Sequence, residues 1–306
     1  MNAPSTRRSR IILASAAVYL IWGSTYLAMR IAVETMPPLL MASMRMLSAG
    51  GILLGIALVT GAPLPGRAEW RSAAVIGALL FLGGNGAVVW SAQHAPSGLV
   101  AVVVASVPLW LVVLEAIRPE GNRPRPITWL GVAVGLAGIG MLVGPGRMQG
   151  GIDPVSATVL VLGSLCWAIG SLLSRRLPSP KSPLVATALQ MLCGGVWLVA
   201  GGLAVGEGAR WNPAAFTTRA WLSLAYLSVF GSIVAFTAYV WLLRNTTPAK
   251  AATYAYVNPI VALIVGWAFA GERLTLRAGI AAVVIIGAVA LITAAGAGRK
   301  VEPEHA

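Results

Sequence analysis

Ten runs of about twenty apolar residues, joined by short connections, leave this chain few ways to fold. At a rise of ~1.5 Å per residue such a run spans a hydrocarbon layer of ~30 Å. The runs are Ile11–Val33, Leu39–Thr60, Trp70–Ser91, Pro96–Ile117, Pro126–Gly144, Pro154–Ser174, Leu184–Val205, Arg219–Leu243, Pro248–Ala270 and Leu274–Gly296. Lipid offers no partner for backbone N–H and C=O groups, so each run is predicted to be a helix that satisfies its own backbone. The connections carry helix-stopping residues, as in Met36-Pro37-Pro38 and Arg175-Arg176-Leu177-Pro178. With 58% hydrophobic and only 10% charged residues, against about 25% charged in soluble domains, no water-facing surface can be covered. The expected fold class is an all-α membrane protein of ten transmembrane helices. Arg7, Arg8 and Arg10 ahead of the first run imitate a signal peptide, but that run outlasts an h-region of ~7–15 residues and reads as a retained first helix.

A net charge of +13 would suggest nucleic acid in a soluble protein. Here the basic residues sit in short loops without interleaved aromatics, which excludes that partner. Placing the N-terminus inside puts fifteen Lys and Arg on the cytoplasmic side, Arg67, Arg71, Arg123, Arg175, Arg176 and Lys181 among them, and leaves Arg147, Arg210, Arg219, Arg273 and Arg277 outside. This imbalance predicts both termini in the cytoplasm.

The chain repeats itself at half length. A shift of 145 positions, the distance from Trp22 to Trp167, also pairs Leu20 with Leu165, Arg30 with Arg175, Pro38 with Pro183, Met46 with Met191 and Gly50 with Gly195. Five helices per copy is an odd number, so the copies insert upside down relative to each other. Two inverted five-helix repeats, 11–145 and 152–296, around a central cavity are expected, with cytoplasmic tails at 1–10 and 297–306.

Interrupted helices at matched places point to a midplane site. Pro108 in the fourth run and Pro259 in the ninth each remove a backbone donor and are the expected helix breaks. Polar residues inside spans should face the bundle interior. Trp22, Ser24, Tyr26, Arg45, Asn85, Trp167, Tyr254 and Asn258 are the substrate-binding candidates, and Arg45 coincides with Gln190 under the repeat shift. Snorkelling to the membrane edge stands beside substrate contact for Arg45. Arg30 with Glu34, and Glu115 with Arg118, read as local ion pairs. Gly131 with Gly135, and Gly140 with Gly144, read as close-packing surfaces of the fifth helix. Cys166 and Cys193 lie in apolar runs as small hydrophobes.

No catalytic constellation appears: His94 and His305 are the only histidines, and there is no phosphate loop or metal-ligand cluster. Neither a cofactor nor a metal is expected, and an ATP-driven pump encoded in this chain is excluded.

Trp22-Gly23-Ser24-Thr25-Tyr26, Arg45 followed by Ala49-Gly50, Pro108, Asn258-Pro259 and Gly271-Glu272-Arg273 together resemble the EamA-type members of the drug/metabolite transporter superfamily, most of all the YedA-like exporters. The resemblance covers Ile11 to Gly296. It implies a ten-helix fold of two inverted repeats and export of amino acids, related metabolites or drugs, with a small-molecule substrate and the lipid bilayer as partners. Small relatives exchange protons through a membrane-embedded Glu in helix 1, whereas here that helix has only Glu34 at its end. Proton exchange and facilitated diffusion both stay open, as does a non-transporting membrane scaffold.

Overall fold

A computed structural model describes residues 4–117, 126–143, 151–246 and 254–297. Arg118, Gly144, the start of the ninth run at Pro248, and residues 1–3 and 298–306 of the tails lie outside the described residues. The helices are α1 (Pro4–Ala32), α2 (Pro38–Val59), α3 (Arg67–Ser91), α4 (Ser97–Ala116), α5 (Pro126–Leu142), α6 (Pro154–Leu173), α7 (Pro183–Ala204), α8 (from Thr218 to Asn245), α9 (Tyr254–Ala270) and α10 (Leu276–Ala297). Seven of them, α1 to α4 and α6 to α8, are long and apolar enough to cross a membrane, and α5, α9 and α10 are shorter apolar helices. The chain is an all-α, multi-pass membrane protein.

Most helix starts have an identifiable local cause. Proline opens α2, α5, α6 and α7, where its missing N–H would have had no partner in any case. Asp153 caps α6 by accepting from the Ser156 N–H at 2.9 Å, and Thr217 caps α8 through the Ala220 N–H at 3.2 Å. Two starts are capped from a distance. Glu207, after α7, accepts from the N–H groups of Leu39 and Leu40 at 3.1 and 2.9 Å. Glu272, after α9, accepts from Ser97 and Gly98 at 2.7 and 3.2 Å.

Three helices are irregular. α3 carries a π-helical segment, Ala78–Asn85, and α8 carries another, Leu227–Val234. α4 is interrupted at Ala105 and Ser106, just before Pro108, dividing Ser97–Val104 from Val107–Ala116. Pro259, expected as a matching break, instead lies inside the unbroken α9. Its ring withholds a single ladder bond, from the Ala255 carbonyl, near the first described turn, and the helix absorbs that loss.

Small residues set the closest helix approaches. In α5, Gly131 and Gly135 face Ala288 of α10 and Gly138 faces Ile285, so this packing stripe runs along α10. Gly140 meets nothing within 4 Å and does not belong to it, because it lies off the face carrying the other three. At the α3–α7 crossing, a Cβ on Gly77 would stand 2.7 Å from the Gly194 nitrogen and 2.8 Å from the Gln190 oxygen. Both are backbone atoms and cannot swing aside.

Gly77→Ala is therefore expected to cost ~1–3 kcal/mol through overpacking, read as a lower melting temperature in detergent. Gly51→Ala, on an open face of α2 with nothing within 4 Å, gains up to ~1 kcal/mol of helix propensity and serves as the matched control.

Candidate functional site

The middle of α1 is wedged between α8 and α9. Gly23 makes this possible, since a Cβ there would meet the Asn258 carbonyl of α9 at 3.2 Å and clash with Val261. On the α8 side, the Trp22 indole N–H donates to the Gly231 carbonyl at 3.0 Å, within the π segment. Ser24 shares a hydrogen bond with the Tyr226 hydroxyl at 2.7 Å and donates to its own helix at Ile21. Trp22 packs against Tyr239 of α8 and Tyr254 of α9 at centroid separations of 5.2 and 4.9 Å. Those two tyrosines meet edge to face at 5.4 Å and their hydroxyls hydrogen-bond. Such tilted arrangements suit the ring quadrupoles. The three rings form a plug in the half of the bundle that holds the N-terminus.

Arg45 of α2 is 7% exposed, so burial replaces the snorkelling alternative. Its Nε donates to Ser232 Oγ of the α8 π segment at 2.9 Å, and Nη1 approaches the Met29 sulfur at 3.8 Å. Beside it, Ser48 and Ser228 lie 3.3 Å apart across the same α2–α8 contact. Tyr26 is within electrostatic reach of both Arg45 and Tyr254.

The structure thus gathers Trp22, Ser24, Tyr26, Arg45 and Tyr254 on one wall, made of α1, α2, α8 and α9. Asn85 and Trp167 belong to another wall, of α3 and α6. There Trp167 meets Phe81 at 6.4 Å, and a Cβ on Gly84 would stand 2.8 Å from the indole. Asn258 backs α1 with its carbonyl, while its side-chain Oδ1 is buried without a hydrogen-bond partner. The same is true of Asn85 Oδ1, Ser106 Oγ, Trp110 Nε1 and Ser164 Oγ. Unpaired buried polar atoms are uncommon in folded proteins. An open apolar groove of about 570 Å³ between α1 and α8 is lined by Leu13, Ala14, Ile233, Val234, Thr237 and Trp241, with Arg10 at its edge; neither Pro108 nor Pro259 lines it.

The opposite end of the bundle is fastened by charge. Glu272 pairs with Arg30 of α1 while capping α4, so one carboxylate joins α1, α4 and the α9–α10 turn. The expected Arg30–Glu34 pair is replaced by this one, because α1 ends at Ala32 and Glu34 is no longer one helical turn from Arg30. Glu272 was visible only as part of Gly271-Glu272-Arg273. Gly271, at φ +62°, supplies the left-handed turn that brings the carboxylate back into the bundle. Tyr226, Tyr239 and Ser232 had no sequence signal beyond polarity within an apolar run.

The EamA-like transporter family model matches residues 9–144 and again 155–294. The chain belongs to the EamA-like transporter family. It is 43% identical over 278 residues to the Escherichia coli (strain K12) protein described as the uncharacterized inner membrane transporter YedA, covering 90% of this chain and 88% of that one. It is 25% identical to the uncharacterized transporter YvbV of Bacillus subtilis (strain 168), over 96% of this chain and 94% of that one. One solved crystal structure superposes with a TM-score of 0.60 at 19% identity, covering 94% of this chain and 98% of the other, which extends the likeness to the fold. As a member of this family the chain is a secondary transporter of small metabolites or drugs, and a transport protein rather than an enzyme.

Glu272→Gln keeps the size of the capping group but removes its charge. With Arg30 left 31% exposed, water shares the lost pairing, and a destabilisation of ~1–3 kcal/mol is expected. Melting temperatures of Glu272→Gln, Arg30→Met and the double variant form a cycle that isolates the coupling; additive losses would mean that the pair contributes nothing.

Proposed function

We propose that the protein exports small metabolites, amino acids or related compounds, or drugs, by alternating access around a site between two halves. In this reading all ten helices span the membrane, residues 11–145 and 152–296 form inverted five-helix repeats, and both termini face the cytoplasm.

One observation carries it. The π segment of α3 packs on Trp167 of α6 and, next to it, Gly77 meets α7 at Gln190 and Gly194. The π segment of α8 packs on Trp22 of α1 and on Arg45 of α2. Trp22 and Trp167 are a pair that the 145-residue shift superposes, and each meets a π segment, which supports a repeated architecture. Interrupted helices at paired positions are where transporters of this kind place their sites, and π segments accompany functional sites. The two ends also close differently, by the Trp22–Tyr239–Tyr254 plug and by the Glu272–Arg30 fastening, which supports a path that opens at one end at a time.

Trp22, Ser24, Tyr26, Arg45, Asn85, Trp167, Tyr254 and Asn258 are proposed to contact the substrate. Tyr254→Ala and Asn258→Ala are then expected to lower transport per folded molecule about tenfold, the equivalent of ~1.4 kcal/mol of lost interaction. The measurement is liposome uptake across an amino-acid and drug panel, normalised to monodisperse protein. A purely packing role would leave transport per folded molecule unchanged.

The proposed topology is read by reporter fusions at Ala306. Alkaline phosphatase should be inactive and a fluorescent protein bright, since a C-terminus on the far side would contradict the charge distribution.

A further inference from the structure

Arg45 carries a positive charge into the bundle with nothing of opposite charge beside it. The described acidic residues are Glu34, Glu69, Glu115, Asp153, Glu207 and Glu272, and among the described residues none lies within ion-pair distance of Arg45. Four are committed elsewhere: Glu69 to the start of α3, Asp153 to α6, Glu207 to α2, and Glu272 to α4 and Arg30. Glu34 lies past the end of α1, and Glu115 in the last turn of α4. The guanidinium offers five N–H donors in a planar fork. Its partners among the described residues are one hydroxyl, Ser232 Oγ at 2.9 Å, and one thioether, Met29 Sδ at 3.8 Å. Neither is an anion, and a thioether is a weak acceptor.

Gln190, which the 145-residue shift superposes on Arg45, is a neutral amide, so the repeat-related position on α7 carries no charge. A buried cation that no carboxylate neutralises has the character of a ligand counter-ion. We infer that Arg45 binds the carboxylate of the transported molecule, in a subsite between α1, α2 and α8 completed by the hydroxyls of Ser232 and Tyr26. The matched charge is single, because no second cation stands within the subsite among the described residues; a monovalent carboxylate fits better than a doubly charged phosphate. The carboxylate replaces Met29 as the acceptor on the outer fork of the guanidinium, where Arg favours bidentate pairing. Trp22, one turn along α1 from Tyr26, borders the subsite with apolar surface for the rest of the molecule.

This inference rests on reading the α1–α2–α8 wall as part of the transport path, so binding and transport are measured apart. Purified full-length protein, in detergent without added lipid, is melted with about 10 mM benzoate or N-acetylphenylalaninate, or with benzamide or N-acetylphenylalaninamide; ligand binding to the folded state raises the midpoint. The acids are expected to raise it and the amides are not. Arg45→Gln should weaken the acid response at least about tenfold, and Arg45→Lys, which keeps the charge and loses the fork, about threefold. Arg45→Lys also stands in should Arg45→Gln fold poorly. Equal responses to acid and amide, an acid response that survives Arg45→Gln, or no acid response at all would overturn the subsite. A response to inorganic phosphate larger than to either acid would overturn the carboxylate assignment and point to a phosphate or lipid headgroup. Acids that bind through Arg45 yet do not enter proteoliposomes would leave the subsite standing and remove the transport path from it.

Discussion

A helix begins with backbone N–H groups that have no partner inside it. Where the helix starts in packed protein surrounded by lipid, water does not supply the missing acceptors. α2 and α4 both start in this way, and each receives a buried carboxylate from a distant turn, Glu207 at 1% exposure and Glu272 at 9%. The arrangement of α1, α7, α8 and α9 at this end follows from those two groups. Glu207 holds the α7–α8 turn over α2, and Glu272 draws the α9–α10 turn onto α4 and onto Arg30 of α1. The negative groups also lie at the positive ends of two helix dipoles, where their charge is stabilised.

Toward the other end the contacts around Trp22 are aromatic. Trp22, Tyr239 and Tyr254 fill the space by area and ring geometry, with one hydrogen bond between the tyrosine hydroxyls and one from the indole to Gly231. The contrast suits a carrier: one end is held by buried carboxylates, the other mainly by aromatic area. Between these closures lies a middle layer with unpaired polar atoms on α3, α4, α6 and α9 and with Arg45 on α2.

Helix positions were readable from sequence because run length and hydropathy are set by the solvent, and lipid is a strict one. Helix interiors were less so. Pro108 and Pro259 look alike in sequence, yet α4 divides beside the first while α9 continues past the second; the difference depends on what packs around each, and the sequence does not carry that information. The π segments left no hydropathy trace, since widening a turn changes its hydrogen bonds and leaves its composition alone. Among the candidate site residues, Ser24, Tyr26 and Arg45 stood out as polar groups inside apolar runs, and Trp22 through its repeat match with Trp167. That Asn85 and Trp167 stand on a separate wall depends on distances between remote parts of the chain, and local pattern is silent about these. The partner of Arg30 was misjudged for a similar reason: four residues of separation implies contact only while the helix lasts.

The two π segments carry a consequence for how side chains are aimed. An α-helix turns about 100° per residue, so a single extra residue accommodated in a wide turn advances everything beyond it by roughly that angle. In α3 and α8 the stretch after the π segment therefore presents a different stripe to its neighbours from the one that an unbroken helix would present. Each of these helices acts as two faces joined by a phase step. Trp90 and Trp241 lie beyond those steps, and their headings are set by a wide turn many ångströms away rather than by local sequence. A deletion of one residue inside Ala78–Asn85 or Leu227–Val234 would leave composition, length and hydropathy nearly untouched, yet would rotate the far half of the helix away from every contact it makes.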